Sequence, residues 1–159
     1  MDKNELTDGD KTLLSDIESV GWHVLKVLED EKGPGFAYSV GLFKTYQHPE
    51  IIIIGLKLDL AHLLINNISE EVKKGKRYQP EQLYTDILDD FKCLMLNVHK
   101  EHYHQYVGYV KWYYAGNNFP LMQCLYPTVK GIYPWENEWP EDLRNLQPIL
   151  GDIDKVDRE

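Results

Sequence analysis

Three histidines have a spacing at which imidazoles can share a zinc ion: His99, His102 and His104, in the pattern H-x-x-H-x-H. On a helix His99 and His102 share a face, whereas His104 points about 140° away from His99. Neither H-E-x-x-H nor C-x-x-C accompanies them. The pattern therefore favours a polar helix start over a metal site, and we expect no cofactor. A metal ion bound by these three histidines is the alternative.

A second group of residues could perform general acid–base chemistry or line a ligand pocket: Tyr38, Ser39, His48 and Glu50. His48 and Glu50 occupy alternate positions, which share one face of a strand. A histidine beside a carboxylate can move protons, but no paired nucleophile accompanies them. The alternative interpretation is a turn and cap that lead into a strand. The sequence is therefore more consistent with a binding protein than with an enzyme.

The last third of the chain combines aromatic rings with carboxylates. Aromatic side chains supply rigid contact area and are enriched at interaction hot spots, and carboxylates attract a basic partner. The candidate partner-binding residues are Trp135, Glu136, Glu138, Trp139, Glu141 and Asp142. The alternative is an aromatic core covered by a solvated acidic loop.

The charge balance narrows the classes of partner. The 26 acidic and 17 basic residues give a formal net charge of −9. A general nucleic-acid binder needs a cationic face, and anionic membranes attract basic proteins, so we expect neither partner. Cys93 and Cys124 lie in apolar segments and are expected to be small buried residues. Two cysteines and an acidic N-terminus without signal-peptide features fit the cytoplasm.

Hydrophobic periodicity predicts three helices. Apolar residues recur at helical spacing from Leu13 to Val20, with Thr7 or Thr12 as the N-cap, and again after Asp59 as far as Gly75. The segment 100–115 is ambiguous, because its aromatic residues also suit a strand, but its apolar spacing favours a helix.

Strand patterns are more numerous. The strongest is the run of four isoleucines at 51–54, which suits a strand buried on both faces. Further strands are predicted at 22–30, 36–40, 83–87, 91–98 and 121–126, with a short one at 131–133. The expected fold is α+β, with a curved, mostly antiparallel sheet of about six strands and about three helices packed on one side. We expect a flexible acidic lead-in at 1–11, a single domain at 12–150 and an acidic tail at 151–159.

Several ordered segments resemble a known family. They are Gly21-Trp22-His23, residues 36–42, His48-Pro49-Glu50, Gly55-Leu56, Met122-Gln123, Gly131, residues 133–135 and Gln147-Pro148. Together they resemble the bacterial DUF4262 family, a domain of unknown function, over about residues 20–150. Relatives typically carry Thr where Ser39 stands, and an aspartate where Thr128 stands here. The resemblance implies no activity, so it transfers no catalytic residue; it directs attention to Tyr38, Ser39, Gly41, His48, Pro49 and Trp135.

Two functions remain open from the sequence. The first is a non-catalytic protein-binding module, such as an immunity-type or regulatory protein that neutralises a basic effector through its acidic and aromatic residues. The second is a small enzyme or ligand-binding domain with a pocket near Ser39 and His48. The sequence does not determine the oligomeric state.

Overall fold

A computed structural model describes residues 6–153, which form six strands and five α-helices. The strands are β1 (His23–Val27), β2 (Phe36–Val40), β3 (Glu50–Ile54), β4 (Gln82–Leu88), β5 (Phe91–Asn97) and β6 (Leu121–Leu125). The helices are α1 (Asp8–Ser19), α2 (Leu42–Tyr46), α3 (Leu58–Lys73), α4 (Tyr103–Tyr106) and α5 (Gly108–Tyr114). Short 3-10 turns span Lys100–His102 and Glu141–Leu143.

The strands form one open sheet in the order β1-β2-β3-β6-β5-β4. The central pair, β3 and β6, is parallel, with Glu50 opposite Leu121. All other neighbours are antiparallel. The predicted α+β class and the six-stranded, mostly antiparallel sheet are therefore confirmed.

The isoleucines of β3 show how the sheet is buried. Ile51 and Ile53 pack in one core with α3, whereas Ile52 and Ile54 pack in a second core with α1, α4 and α5. Because successive side chains point to opposite faces of a strand, apolar residues at all four positions require cover on both faces. The expectation that the helices lie on one side is wrong for this reason.

The first helix begins earlier than its apolar pattern predicts. Thr7 is its N-cap: the Thr7 Oγ1 accepts from the Asp10 N–H, and an Asp10 carboxylate oxygen accepts from the Thr7 N–H, both at 3.0 Å. Residues 8–11 therefore belong to α1 rather than to the lead-in expected at 1–11. Residues 1–5 of that lead-in lie outside the described residues, as do residues 154–159 of the expected tail.

Two other local predictions can be compared with the structure. The segment 100–115 is helical, as its spacing favoured, but it is divided between α4 and α5 at Val107. The short strand predicted at 131–133 is absent from the described chain; that segment is a bend followed by irregular backbone. The five-residue helix α2 was not predicted. Within residues 6–153, no helix is long and apolar enough to cross a membrane.

Candidate functional site

The Glu50 carboxylate lies at the centre of a buried hydrogen-bond network. It is fully buried at the start of β3. One oxygen accepts from the Ser39 hydroxyl at 2.7 Å and the Leu42 N–H at 3.2 Å. The other accepts from the Gly41 N–H at 2.9 Å, the Phe43 N–H at 3.3 Å and the Tyr114 hydroxyl at 2.5 Å. Five donors converge on this carboxylate, so it holds β2, α2 and α5 together.

The network explains why α2 forms. Gly41 precedes the helix with φ = 114°, a left-handed conformation that favours glycine. This turn aims the first N–H groups of α2 at Glu50, which caps the helix in place of a local side chain. Burial raises the pKa of Glu50 above its ordinary value, and the hydrogen bonds from Tyr114 and Ser39 oppose that shift.

The buried His48 side chain links the chain just before β3 to the loop after α3. One ring nitrogen lies 2.9 Å from the Pro49 carbonyl oxygen, and the other lies 3.1 Å from the Tyr78 backbone nitrogen. This pairing requires a neutral ring whose Nδ1–H donates to Pro49 and whose Nε2 accepts from Tyr78. Burial lowers the pKa of His48 accordingly.

The structure buries all four candidate pocket residues, and the polar groups of Ser39, His48 and Glu50 form hydrogen bonds within the protein. Tyr38, Ser39, His48 and Glu50 are all buried, with exposed fractions of 3% or less. Among the described residues, every buried side-chain nitrogen or oxygen has a hydrogen-bond partner. The arrangement favours a structural role for this group.

The aromatic residues beside the acidic segment pack against the protein. Trp135 packs against the core formed by Leu94, Leu96 and Leu125, and Tyr133 stacks on it with ring centroids 4.6 Å apart. The half-buried Trp139 donates its indole N–H to the Leu143 carbonyl at 3.0 Å. Both tryptophans therefore also stabilise the segment that carries the acidic residues.

The acidic residues of this segment differ in exposure. Glu136 is half-buried and accepts from the Tyr133 N–H at 2.7 Å, so it serves the local turn. Glu138, Glu141 and Asp142 are exposed. Glu141 is paired with Arg144 at 2.9 Å, but both side chains are largely in solvent, where such a pair is weak.

Glu141 and Asp142 form one wall of a groove whose volume is about 710 Å³. The β1–β2 turn forms another part of the groove and contributes Glu29, Asp30 and Glu31. We call this feature the acidic groove; its other lining residues are Lys32, Gly33, Pro34, Tyr106, Leu143, Arg144, Asn145, Leu146 and Pro148. Five carboxylates against two cationic side chains make the groove net acidic.

The three histidines do not form a ligand set in the described chain. His99 lies 2.9 Å from a carboxylate oxygen of Asp152, and His102 lies 3.7 Å from Glu101. His104 is exposed on α4. No group of three or more His, Cys, Asp or Glu side chains within residues 6–153 could hold a metal ion.

The cysteines are buried thiols, as their apolar surroundings predicted. Cys93 and Cys124 are free and lie on neighbouring strands. The hydrogen bond to Cys93, with burial, raises the pKa of Cys124 well above its ordinary value. A thiol with a raised pKa is a poor nucleophile at neutral pH.

An open, mixed six-stranded sheet with helices on both faces thus defines an α+β domain with a buried carboxylate at its centre. The chain belongs to the family described as "Domain of unknown function (DUF4262)", whose model matches residues 16–140. The resemblance inferred from the ordered segments is therefore confirmed. No curated protein and no solved structure matches the chain.

Two parts of these sites were not predicted from the sequence. Tyr114 was not among the candidate pocket residues, yet its hydroxyl donates to the Glu50 carboxylate. Residues 29–31 were not among the candidate partner-binding residues, yet they line the acidic groove together with Glu141 and Asp142. Their charge was a visible signal, but their position depends on contacts over more than 100 residues.

Proposed function

We propose that this chain is a non-catalytic protein-binding module of the bacterial cytoplasm, of the immunity or regulatory type, which neutralises a basic effector. The observation that carries the proposal is the acidic groove. Two acidic segments far apart in sequence, 29–31 and 141–142, both line it. The net charge of −9 adds a field that steers a basic protein toward the chain.

The groove also has a surface that suits a protein partner. Tyr106, Leu143 and Leu146 contribute aromatic and aliphatic atoms between the charged walls. Apolar contact at the centre with charges at the rim is the usual anatomy of a protein interface. An arginine- or lysine-bearing segment would place its cationic heads on the walls and its aliphatic stems on these residues. Glu138 and Trp139 would extend the contact along the same chain segment.

Capture from the native host tests the proposal, followed by measurement of the affinity of the captured protein. The test variant Glu141→Lys/Asp142→Lys reverses one wall of the groove. The matched control Glu70→Lys/Asp89→Lys makes the same charge change at exposed positions outside the groove. We expect a basic partner whose affinity falls at least tenfold in the test variant and much less in the control. Equal loss in the two variants would show that only net charge matters.

A pocket formed by Tyr38, Ser39, His48 and Glu50 is the second candidate function, for a small enzyme or ligand-binding domain. We place it second because all four side chains are buried, Ser39 donates to Glu50, and both ring nitrogens of His48 are bonded to the backbone. A bound metabolite that contacts Ser39 or His48 after purification from the host would reverse this order.

A further inference from the structure

The two edges of the open sheet differ in regularity. β1 forms one edge, and each of its five residues pairs with one residue of β2. β4 forms the other edge, and its register with β5 shifts between Tyr84 and Leu88. Irregular pairing protects an edge against the addition of a further strand, whereas a regular edge strand remains a template for one. The β1 edge is therefore the place at which this sheet can be extended.

The backbone groups that β1 presents at this edge follow from the pairing of its neighbours. Just before β2, the Gly35 carbonyl accepts from the Gly55 N–H at 2.9 Å, so odd-numbered residues of β2 face β3 and even-numbered residues face β1. The even-numbered residues pair with residues 23, 25 and 27 of β1. The N–H and C=O groups of Val24 and Lys26 therefore point away from the sheet. Within residues 6–153, no loop or turn carbonyl accepts from either N–H.

Exposed apolar side chains are concentrated around this edge. The large apolar side chains that are exposed in the described part of the chain are Val20, Leu28, Leu63 and Val129. Val20 lies shortly before β1, and Leu28 directly follows β1 with 77% of its surface exposed. Only Val129 belongs to a distant turn. The edge strand thus has an exposed apolar residue near each of its ends.

Leu63 belongs to the stripe of α3 that runs alongside β1. The Asp59 carboxylate lies 3.5 Å from the Lys26 ammonium group, and the Asn66 side chain accepts from the Trp22 indole N–H at 2.9 Å. Leu63 is four residues after Asp59 and three before Asn66, so it lies between them on the same face of the helix. It adds apolar area beside the edge.

The charges beside the edge are complementary under a two-fold rotation. Lys26 and Lys57 are exposed near the beginning of α3, whereas Glu70 is exposed on the same stripe towards its end. A two-fold axis through the middle of β1 brings the beginning of one α3 towards the end of the other. A second copy of the chain therefore matches this edge both in its outward backbone groups and in charge.

We propose that the β1 edge binds a second copy of this chain, with the two β1 strands antiparallel and Leu25 opposite Leu25 of the second copy. In this register Val24 and Lys26 exchange about four backbone hydrogen bonds across the seam, and Leu28 lies opposite Trp22 of the other copy. The product is one continuous sheet with a two-fold axis. A single strand pair is smaller than a standard interface of about 1,600 Å², so the dimer is weak, with a Kd of roughly 100 µM.

Sedimentation velocity from about tenfold below to about tenfold above this Kd tests the proposal. We expect the mass to rise from 18.7 kDa towards twice that value. Hydrogen exchange should show that the Val24 and Lys26 amides gain protection as the concentration rises. Because both copies are acidic, added NaCl should not weaken the dimer. This distinguishes it from the binding of a basic partner in the acidic groove.

Variants locate the interface. Leu28→Lys places a charge at the seam and should weaken dimerisation at least tenfold, whereas the matched control Val129→Lys should leave it unchanged. Lys26→Pro removes an outward N–H but no hydrogen bond between β1 and β2, and it should also weaken dimerisation. The groove variant Glu141→Lys/Asp142→Lys should still dimerise, so this inference can fail or hold independently of the proposed function.

Three outcomes would overturn the proposal. The first is a chain that stays monomeric at the highest concentration. The second is dimerisation that Leu28→Lys and Lys26→Pro leave unchanged, or that Val129→Lys weakens equally. The third is protection of the Val24 and Lys26 amides only in the presence of the captured basic protein, which would assign the β1 edge to that partner.

Discussion

Replacing Glu50 with glutamine should destabilise the fold strongly, although the two side chains have nearly the same shape. Both carboxylate oxygens accept hydrogen bonds, two at one oxygen and three at the other. A glutamine amide has one oxygen, so its NH2 group must face donors in either orientation. The backbone N–H groups of Gly41, Leu42 and Phe43 cannot rotate away, so at least one of them loses its acceptor.

The magnitude follows from the buried donors. An unsatisfied buried donor costs about 1–3 kcal/mol, and hydrogen bonds to a charged group contribute about 1.5–3 kcal/mol each. Because a glutamine retains part of the network, we expect Glu50→Gln to lower the free energy of unfolding by roughly 2–4 kcal/mol. For a domain of this size, the melting temperature should fall by roughly 4–16 °C.

Urea unfolding followed by tryptophan fluorescence at pH 8 measures this effect, since the ionised carboxylate is favoured there. Glu70→Gln is the matched control, because it makes the same change at an exposed position of α3; it should alter stability by less than about 0.5 kcal/mol. A Glu50→Gln variant that unfolds at the same urea concentration as the wild type would refute the assignment of Glu50 as the cap of α2.

Three further effects are expected. The pKa of His48 is lowered below its ordinary 6.5, so the neutral buried ring stabilises the fold above pH 6.5, and this stabilisation is lost as the pH falls through the folded pKa. The melting temperature should therefore fall less steeply between pH 7 and pH 5 for His48→Gln than for the wild type. Gly41→Ala should cost about 1–3 kcal/mol in urea unfolding, because φ is 114° and a Cβ would lie 2.9 Å from the Gly21 carbonyl oxygen; an unchanged midpoint would exclude that strain. Trp135→Ala should lose about 2 kcal/mol of stability and Glu138→Lys less than about 0.5 kcal/mol, and equal losses would contradict the packing described for Trp135.

The elements that the sequence revealed are those whose signal is local. The four isoleucines of β3 identified the central strand, because few other environments hold consecutive β-branched residues. The apolar residues of α1 and α3 recur at helical spacing, and this local pattern predicted both helices. The four isoleucines also predicted that β3 is buried on both faces. Burial on both faces requires helices on two sides of the sheet.

The features that local patterns did not reveal depend on long-range contacts. The helix α2 has five residues and takes its cap from Glu50, which follows it in the chain. Tyr114 is 64 positions from Glu50. The acidic groove requires that the β1–β2 turn and the 141–148 segment meet, which no pattern within either segment predicts.

The salt dependence of partner binding tests the central claim most directly. Exposed charges across an interface are screened by salt, with a Debye length of about 10 Å at 0.1 M. We predict that the affinity of wild-type protein for its captured basic partner falls steeply as NaCl is raised, and that Glu141→Lys/Asp142→Lys both weakens binding and flattens this dependence. An affinity that is insensitive to salt, or a variant with the wild-type affinity and slope, would contradict the acidic groove as the binding site.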